Sequence, residues 1–410
     1  MPTRSFWVDF VENHWQRKPG IFKNLMPTPI ATAEEMFGAM RASFARPQTE
    51  ATSVYVDGRH LTAAEHGAFA PSDADRDVSA YLARCAPEQE ICMVIYKLQE
   101  LFPDAWLRAR DFLHELYGLV GMPTHANLEV FFGRYSGTPR GPHRDEANNI
   151  SFILQGKKTY LLWPEEYFAQ RGVATGTLGG QSWPRDLREP GLLERFRKDA
   201  IVLEAEPGDV LFWPYTYWHT VEAHPEEPTF VLHITLYNRP RAAVLAEVLA
   251  GVLQQLPGAG ERIDSWGPFP GGVTRPVAPP TQVLGAFDML RSSLEPEFVQ
   301  ALLTDQWMRH VSGYGFDTLP PRKQDVLPST AGKVRTDDRY PLAWQSADGH
   351  VHVWSNGHRL SVPQTEAVLG FLGQVNSGEW LAVELRERSP LETLIQELHA
   401  VRALEWRAEA

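Results

Sequence analysis

Two different periods of hydrophobic residues divide the chain into regions. In residues 104–121 (DAWLRARDFLHELYGLVG), apolar side chains recur every three or four positions, which is the period of an amphipathic helix. From about residue 126 to residue 238 they form short runs or alternate with polar residues, and Gly, Pro and Asp separate the runs. Many short strands joined by turns are typical of a sandwich or barrel. We therefore predict a mainly β core with helical flanks, the N-terminal flank being residues 1–120.

A further helix is predicted after the β region, because residues 241–256 repeat apolar side chains at a helical spacing. The apolar stripe consists of Val244, Leu245, Val248, Leu249, Val252, Leu253 and Leu256. Such a stripe either packs on the chain's own barrel or is buried between two copies of the chain, and we expect a homodimer. Residues 256–280 are rich in Pro and Gly, which suppress regular structure, and they indicate a linker.

The C-terminal region combines helical patterns with one alternating segment, HVHVWSNGHRLSVP. Asn356-Gly357 in this segment favours a two-residue hairpin turn. Helix, hairpin and helix together suggest a winged-helix-like module. The predicted organisation is therefore a β domain with a helical N-terminal part at 1–240, a helix and linker at 241–281, and the winged-helix-like module at 282–410.

Composition and charge restrict the classes of function. With 43% hydrophobic and 22% charged residues, the 410-residue chain has the composition of a globular protein long enough for more than one core. The net charge of −12 argues against binding to nucleic acid, and no membrane-spanning segment is predicted. Charged residues interrupt the N-terminal segment before a signal-peptide core can form, so we expect a cytoplasmic protein with reduced cysteines, Cys85 and Cys92.

The segment GPHRDEANNISFILQGKKTYLLWP carries the strongest candidate for chemistry. Residues two apart in a strand point to the same side, so His143 and Asp145 project together and can share a metal ion. A third ligand is expected from a neighbouring strand. His219 is preferred because a PGD turn and the strand DVLFWP lead to it, and His224 and His233 are the alternatives. Two histidines and one carboxylate that leave open positions form the facial triad of non-haem Fe(II) oxygenases.

Two consecutive lysines follow the glycine that ends this apolar run. A dicarboxylate cosubstrate requires one fixed cation for its distal carboxylate. Lys157 and Lys158 begin a predicted strand and must face opposite sides, so only one of them can enter the barrel. Aromatic side chains nearby are candidates for the cavity wall or for core packing: Phe131, Phe132, Trp163, Phe212, Trp213, Tyr215, Tyr217 and Trp218.

Residues 126–238 resemble the JmjC branch of the cupin-fold Fe(II)- and 2-oxoglutarate-dependent oxygenases. The resemblance rests on the HxD pair, Asn149, Gly156, Lys158, the PGDVLFWP segment and His219, at spacings similar to those of JmjC-type protein hydroxylases. The N-terminal FVENHWQRKPGIFKN resembles the opening of this group, and the C-terminal helix and module resemble those of the ribosomal oxygenases. The fold implied for the core is a double-stranded β-helix, or jelly-roll.

The resemblance also implies roles for individual residues. His143, Asp145 and His219 are implied to bind iron, while Lys158, helped by Asn149, is implied to bind 2-oxoglutarate, with O2 as the second cosubstrate. Ribosomal oxygenases usually carry an arginine at the position of Lys158 and more hydrophobic residues after the HxD pair than EANNI. The substrate of that group is therefore not carried over to this chain.

The implied activity is hydroxylation of a C–H bond in an amino-acid residue of a peptide or protein. One alternative is the same chemistry on a free amino acid or other small metabolite. Another is a non-catalytic cupin, which is less favoured because a metal triad with a cosubstrate lysine serves no packing purpose. The C-terminal region is net acidic, so we expect its module to dimerise or to present substrate rather than to bind DNA.

Overall fold

The computed structural model of the protein describes residues 1–45, 52–178, 181–184, 192–223, 227–254, 260, 284–285, 288, 291, 295–322, 327 and 331–408. The chain divides into two compact units. The first comprises Met1–Asn238 and Tyr314–Pro320, and the second comprises Arg239–Gly313 and Pro321–Ala410. The domain boundaries predicted at residues 240 and 281 stay predictions, and the predicted linker lies outside the described residues apart from Gly260.

The described elements include ten α-helices and twenty strands. The helices are α1 Arg4–Asn13, α2 Ala33–Phe44, α3 Val78–Cys85, α4 Leu98–Leu101, α5 Pro103–Val120, α6 Leu192–Arg197, α7 Arg241–Leu253, α8 Pro296–Ser312, α9 Glu366–Val375 and α10 Pro390–Ala400. The strands are β1 Gly20–Phe22, β2 Thr52–Val56, β3 Arg59–His60, β4 Ile91–Ile95, β5 His125–Arg134, β6 Arg144–Asp145, β7 Ala147–Gln155, β8 Lys158–Pro164, β9 Thr175–Leu178, β10 Gln181–Pro184, β11 Ile201–Ala205, β12 Val210–Trp213, β13 Tyr217–Ala223, β14 Thr229–Tyr237, β15 Ala331–Arg335, β16 Ala343–Ala347, β17 His350–Ser355, β18 His358–Pro363, β19 Leu381–Glu384 and β20 Glu405–Ala408.

Two antiparallel sheets form the core of the first unit. The large sheet has the strand order β1-β12-β7-β14-β5-β4-β2-β3, and the small sheet has the order β11-β8-β13. Strand β14 pairs with β5 along its whole length and with β7 on its other edge. Side chains from both sheets meet in one hydrophobic cluster that includes Ile153 of β7, Leu162 of β8 and Val231 of β14. The two sheets therefore enclose a common interior.

Alternation along the central strands separates an outer apolar face from a partly polar inner face. On β5, Leu128 and Val130 belong to the main hydrophobic core, which also contains residues of α1 and α5. Glu129 and Phe131, which alternate with them along the strand, face the space between the sheets. On β14, the polar His233 lies directly opposite Glu129. Because side chains alternate with a period of two, the helices cover one face while the other lines an enclosed space.

The helical flank begins and ends where local chemistry predicts. Thr32 and Glu35 form a capping box at the start of α2. Helix α5, which confirms the helix predicted at 104–121, has Pro103 in its first turn and ends at Val120, and the next residue, Gly121, has a φ of +80°. The prediction of a purely helical flank was incomplete, because β1, β2, β3 and β4 from this region join the large sheet. The continuous apolar run ICMVI of β4 has no period by which a strand is distinguished from a buried helix.

The second unit contains two three-stranded antiparallel sheets, β19-β15-β20 and β16-β17-β18. The predicted hairpin is present as β17 and β18. Its turn residues Asn356 and Gly357 have φ values of +50° and +83°, as a two-residue turn with positive φ requires. Helices α9 and α10 share the hydrophobic core of this unit with the sheets. Its winged-helix-like character stays a prediction.

Helix α7 confirms the helix predicted after the β region but divides its apolar stripe. Val252 is buried, whereas Leu245, Leu249 and Leu253 are 54%, 50% and 42% exposed. The helix ends at Leu253 rather than at residue 256, which lies outside the described residues. The helical period of the sequence did not show which side chains of the stripe are buried and which are exposed. The row of valines and the row of leucines lie next to each other on the same surface of the helix. No helix among the described residues has the length and apolarity needed to cross a membrane.

Candidate active site

His143, Asp145 and His219 come together inside the first unit. The backbone N–H of His143 donates to the carbonyl of His219 at 2.9 Å, and that of His219 donates to the carbonyl of His143 at 2.8 Å. Asp145 ends strand β6, which is held against β10 by pairing with Gln181. One ligand atom from each of the three side chains lies within 4.8 Å of the other two. Residues that are 76 positions apart in sequence thus share one site.

Both imidazole rings direct Nε2 toward Asp145. The distances from Nε2 to Asp145 Oδ2 are 4.0 Å for His143 and 3.6 Å for His219. His143 Nδ1 lies 2.9 Å from the carbonyl oxygen of Gly141. Because a carbonyl oxygen can only accept, Nδ1 is the donor in this contact, and Nε2 is the nitrogen that faces Asp145. Two imidazole nitrogens and one carboxylate oxygen therefore converge in the donor set that suits Fe(II).

Burial and neighbouring charges set the protonation states of the site. Burial, followed by the nearby His143, lowers the pKa of His219 to about 3, so its ring is neutral at pH 7. Burial alone disfavours ionisation of Asp145, but His143, His219 and the hydrogen bond from Gln181 outweigh it and hold the pKa of Asp145 below its usual value. A neutral imidazole and an ionised carboxylate are the forms that bind a metal ion.

A chain of hydrogen bonds holds the remaining oxygen of Asp145. Gln181 Nε2 donates to Asp145 Oδ1 at 2.7 Å, and a terminal nitrogen of Arg140 donates to Gln181 Oε1 at 2.7 Å. Arg140 also donates to the hydroxyls of Tyr55 and Tyr96, at 3.3 and 3.2 Å. These contacts orient the carboxylate so that Oδ2 faces the histidines. Sequence reasoning missed both Arg140 and Gln181, because no periodic pattern links them to the HxD pair.

Lys158 is the lysine that enters the barrel. It is 4% exposed, whereas the side chain of Lys157 is 64% exposed and lies 3.7 Å from Glu206. The preceding turn requires a glycine at position 156. Gly156 has a φ of +73°, and a Cβ there would lie 2.8 Å from the carbonyl oxygen of Pro228. This close backbone approach sets the position from which β8 carries Lys158 inward.

Tyr135 is the partner of Lys158 and was missed by sequence reasoning. Lys158 Nζ donates to the Tyr135 hydroxyl at 2.6 Å. The same hydroxyl also forms hydrogen bonds with the side chains of Thr229 and Cys92. Burial lowers the pKa of Lys158 to about 8, which still leaves the ammonium charged at neutral pH. Lys158 therefore offers one buried cation, held in place by Tyr135, to an anionic ligand.

The other predicted residues have different surroundings. Asn149 is buried, and its Nδ2 donates to the carbonyl of Ala147 at 3.2 Å. His233 Nε2 lies 3.2 Å from the hydroxyl oxygen of Ser151, and among the described residues it does not belong to the cluster of metal-binding side chains. His224 lies outside the described residues.

One cavity connects these residues. Its volume is about 110 Å³, and its walls include His143, Asp145, Asn149, Lys158 and His219. A groove of about 360 Å³, whose walls include Tyr55, His60 and Trp183, adjoins it at His143. The candidate metal-binding side chains and the buried lysine therefore face one enclosed space with a larger depression beside it.

The predicted aromatic wall is only partly present. Phe131 and Trp213 line the cavity. Phe132 and Phe212 instead pack in the core shared with the helices, while Trp163 and Trp218 form a separate cluster with α6. Alternation separates Phe131 from Phe132 and Trp213 from Phe212, and sequence alone does not tell which member of such a pair faces inward.

Comparisons with known proteins give one family and one fold. The profile of the cupin-like domain matches residues 16–240. No curated protein matches the chain. The X-ray structure of Escherichia coli ycfD has 17% sequence identity and a TM-score of 0.51, and the match covers 98% of both chains. Two further structures of YcfD, a ribosomal oxygenase from Escherichia coli, also cover 98% of both chains; the first has 15% identity and a TM-score of 0.49. The second, in complex with cobalt and 2-oxoglutarate, has 15% identity and a TM-score of 0.47.

At 17% sequence identity, the match with the X-ray structure of Escherichia coli ycfD gives information on the fold alone. It agrees with the two antiparallel sheets described above, and the predicted mainly β cupin fold is confirmed. The geometry of the site therefore has to be interpreted from its own residues.

Proposed function

The chain belongs to the family of cupin-like domains, and on this basis we propose that it is an Fe(II)- and 2-oxoglutarate-dependent oxygenase. The observation that carries the proposal is the convergence of His143, Asp145 and His219 in the cavity that also contains a buried lysine. A metal triad and a cation for a dicarboxylate are the two features that this chemistry needs. The proposed substrate is an amino-acid residue of a peptide or protein.

The three metal-binding side chains fit Fe(II) in ligand type. His143 and His219 would bind through Nε2, and Asp145 would bind through Oδ2, the oxygen that Gln181 leaves free. With Fe(II) bound, such a site couples conversion of a C–H bond to C–OH with conversion of 2-oxoglutarate and O2 to succinate and CO2. Around it, the chain's own residues orient the ligands and exclude bulk water.

Lys158 and Tyr135 are the proposed anchor for the distal carboxylate of 2-oxoglutarate. The ammonium supplies a charge-assisted hydrogen bond, and the Tyr135 hydroxyl holds the ammonium in place by accepting a hydrogen bond from it. Asn149 lines the same cavity and is proposed to assist them. Lys157 cannot serve, because its side chain is exposed and lies near Glu206.

A polypeptide substrate is supported by the groove beside His143. Its aromatic walls, formed by Tyr55 and Trp183 among others, suit contacts with an extended chain. The likeness of the N-terminal segment to the JmjC-type hydroxylases points in the same direction. A free amino acid or other small metabolite is the second candidate, and the small volume of the inner cavity, about 110 Å³, favours it.

The decisive experiment is aerobic incubation of the protein with Fe(II), 2-oxoglutarate and a library of peptides and amino acids, followed by mass spectrometry. We expect succinate formation coupled to the gain of one oxygen atom by a library member. Asp145→Ala is expected to abolish both, whereas the matched control Glu146→Ala retains them. Undiminished succinate formation by Asp145→Ala and His143→Ala would sink the proposal, and the identity of the oxidised compound distinguishes a polypeptide from a metabolite.

A further inference from the structure

Arg140 lies where the groove meets the cavity, and the proposed chemistry does not use its charge. The residue belongs to the segment between β5 and β6 that leads into the HxD pair, and its side chain is half-buried. It lines both the cavity and the groove, whereas Lys158 lines the cavity but not the groove. A guanidinium stays protonated at every physiological pH, so the surroundings of Arg140 indicate what it binds.

Neutral side chains hold the guanidinium in one orientation. Its Nε and its two terminal nitrogens donate to the Tyr55 hydroxyl, to Gln181 Oε1 and to the Tyr96 hydroxyl. Three of its five N–H groups are used in this way, which leaves one on each terminal nitrogen for a ligand. Within the described part of the chain, no carboxylate forms an ion pair with Arg140. It is therefore an oriented cation without a counter-ion in the described structure.

The walls of the groove favour a negatively charged occupant. Among the described residues they include Arg140, His60 and His143 but no aspartate or glutamate. The groove thus differs from the chain as a whole, whose net charge is −12. Because no acidic side chain lines the groove, the attraction of an anion to Arg140 is not offset by repulsion from the groove wall.

Asp145 does not take the place of such an anion. Its charge acts on Arg140, but both of its oxygens have other partners. Gln181 donates to Oδ1, and the two histidines of the triad face Oδ2. A metal ion held by the triad would add positive charge next to the groove. The charge of Arg140 therefore stays available to a ligand that enters from the groove.

We propose that Arg140 is a substrate-binding subsite for a carboxylate, at the junction of the groove and the cavity. The proposal rests on the proposed oxygenase function and adds the chemical class of its substrate. A carboxylate supplies the missing counter-charge, and its oxygens accept from the two N–H groups that are not used within the protein. Lys158 and Arg140 then hold two different anions, the cosubstrate in the cavity and the substrate at its mouth.

Ligand-observed saturation-transfer NMR on the full-length protein tests this subsite. The probes are butyrate and its neutral isostere butyramide, and Zn(II) with saturating 2-oxoglutarate keeps Lys158 occupied. We expect butyrate to bind at least about tenfold more tightly than butyramide, as a charge-assisted hydrogen bond predicts. Equal affinities would overturn the proposal. So would a preference for butyrate that saturating 2-oxoglutarate abolishes, because Arg140 would then hold the cosubstrate.

Three variants separate the charge of Arg140 from other effects. Arg140→Gln is expected to lose the preference for butyrate, whereas Arg140→Lys keeps the charge and part of the preference. Arg59→Gln is the control for net charge and is expected to bind as the wild type does, because it removes an exposed arginine of β3 that pairs with Glu65. A preference that survives in Arg140→Gln contradicts the assignment.

A second measurement decides if circular dichroism shows that Arg140→Gln does not fold. Mn(II) replaces Zn(II) in the wild-type protein, and we expect it to broaden the resonances of bound butyrate, because the groove adjoins the metal-binding side chains at His143. Butyrate bound elsewhere on the surface would keep narrow lines, and that result would contradict the assignment.

Metal-free Lys158→Ala protein separates the subsite from the oxygenase function. Because this variant has no cosubstrate anchor, a preference for butyrate that persists in it retains the subsite, and loss of the preference assigns butyrate to Lys158 and overturns the proposal. Failure of Zn(II) and 2-oxoglutarate to bind the wild type would contradict the proposed oxygenase function and leave this metal-free result intact.

The source of the carboxylate is determined in the same assay. A blocked tripeptide with a central glutamate is compared with free L-leucine, whose only carboxylate is the α-carboxylate. Tighter binding of the peptide assigns the subsite to an acidic side chain of a polypeptide, and tighter binding of L-leucine assigns it to a free amino acid. Either result retains the subsite. If neither compound binds more tightly than butyramide, the subsite does not take a substrate carboxylate and the proposal fails.

Discussion

Burial displaces the pKa values of the two charged residues Lys158 and Glu129 in opposite directions. It lowers that of Lys158 to about 8 and raises that of Glu129 to about 7. Both shifts have the same physical cause, since an enclosed space of low polarity disfavours every ionised form. Each residue therefore gains most from a ligand of opposite charge. The buried cation of this cavity is therefore suited to an anionic ligand.

The two neighbouring lysines provide a matched test of the cosubstrate anchor. Lys158→Ala removes a buried charge-assisted hydrogen bond, so we expect the 2-oxoglutarate concentration for half-maximal succinate formation to rise about tenfold to a hundredfold. Lys157→Ala removes an exposed charge and is expected to leave that concentration within about twofold of the wild-type value. Steady-state assays at varied 2-oxoglutarate provide the measurement. Equal effects of the two substitutions, or the reverse order, would show that the inward residue has been misassigned.

The lowered pKa of Lys158 also predicts a dependence on pH. Its value in the folded protein, about 8, lies below the ordinary 10.5, so the buried charge opposes folding below pH 8 and this cost disappears as the pH rises from about 8 to 10.5. Binding of 2-oxoglutarate needs the charged form, and its affinity should therefore fall as the pH rises above about 8. Calorimetric titration with Mn(II) present measures this. Lys158→Arg should retain affinity to higher pH, because a guanidinium stays protonated, and a wild-type affinity that does not change would contradict the assignment.

At the level of elements, very short strands position the reactive groups. Strand β6 contains only Arg144 and Asp145, and it is held by pairing with β10. The adjoining His143 is fixed by its two backbone hydrogen bonds to His219 of β13. Long strands such as β14 provide the rigid frame, while these short pairings bring side chains from distant parts of the sequence to one point. This division agrees with the general placement of functional groups on short segments supported by a stable sheet.

Helix α7 shows how one helix can serve two environments. Val252 is buried within the second unit, whereas Leu245, Leu249 and Leu253 form an exposed leucine row. Three exposed leucines at intervals of four form a continuous apolar strip along the helix. We propose, as for the stripe predicted from the sequence, that this strip contributes to a homodimer.

At the level of the whole molecule, oligomeric state is the property that this strip predicts. Burying a leucine fully stabilises an interface by roughly 1.5 to 3 kcal/mol before the costs of association, so Leu249→Glu with Leu253→Glu should convert a dimer into a monomer. Val202→Glu, at a similarly exposed position on β11, is the control and should remain dimeric. Light scattering at micromolar concentration measures the mass. A wild-type monomer, or a dimer that both substitutions leave intact, would rule out this interface.

Local alternation determined much of this protein without any tertiary information. A period of two placed His143 and Asp145 on one side of the chain and required Lys157 and Lys158 to point in opposite directions. The helical period located α5 and α7, and Asn356-Gly357 located the hairpin of the second unit. These features depend on the geometry of a few consecutive residues, which is why they can be read from a single sequence.

Tertiary structure decided which of the alternating faces is inside and which distant residues meet there. Tyr135, Arg140 and Gln181 lie on segments whose relation to the HxD pair arises only when β8, β10 and the large sheet fold together. The place of Glu129 in the cavity likewise depends on β5 lying beside β14. Pairing between strands far apart in sequence depends on long-range packing, to which a local pattern contributes no information. The sequence by itself therefore determined candidate ligands and strand parity, while the shape and charge of the cavity were decided by how the two sheets enclose it.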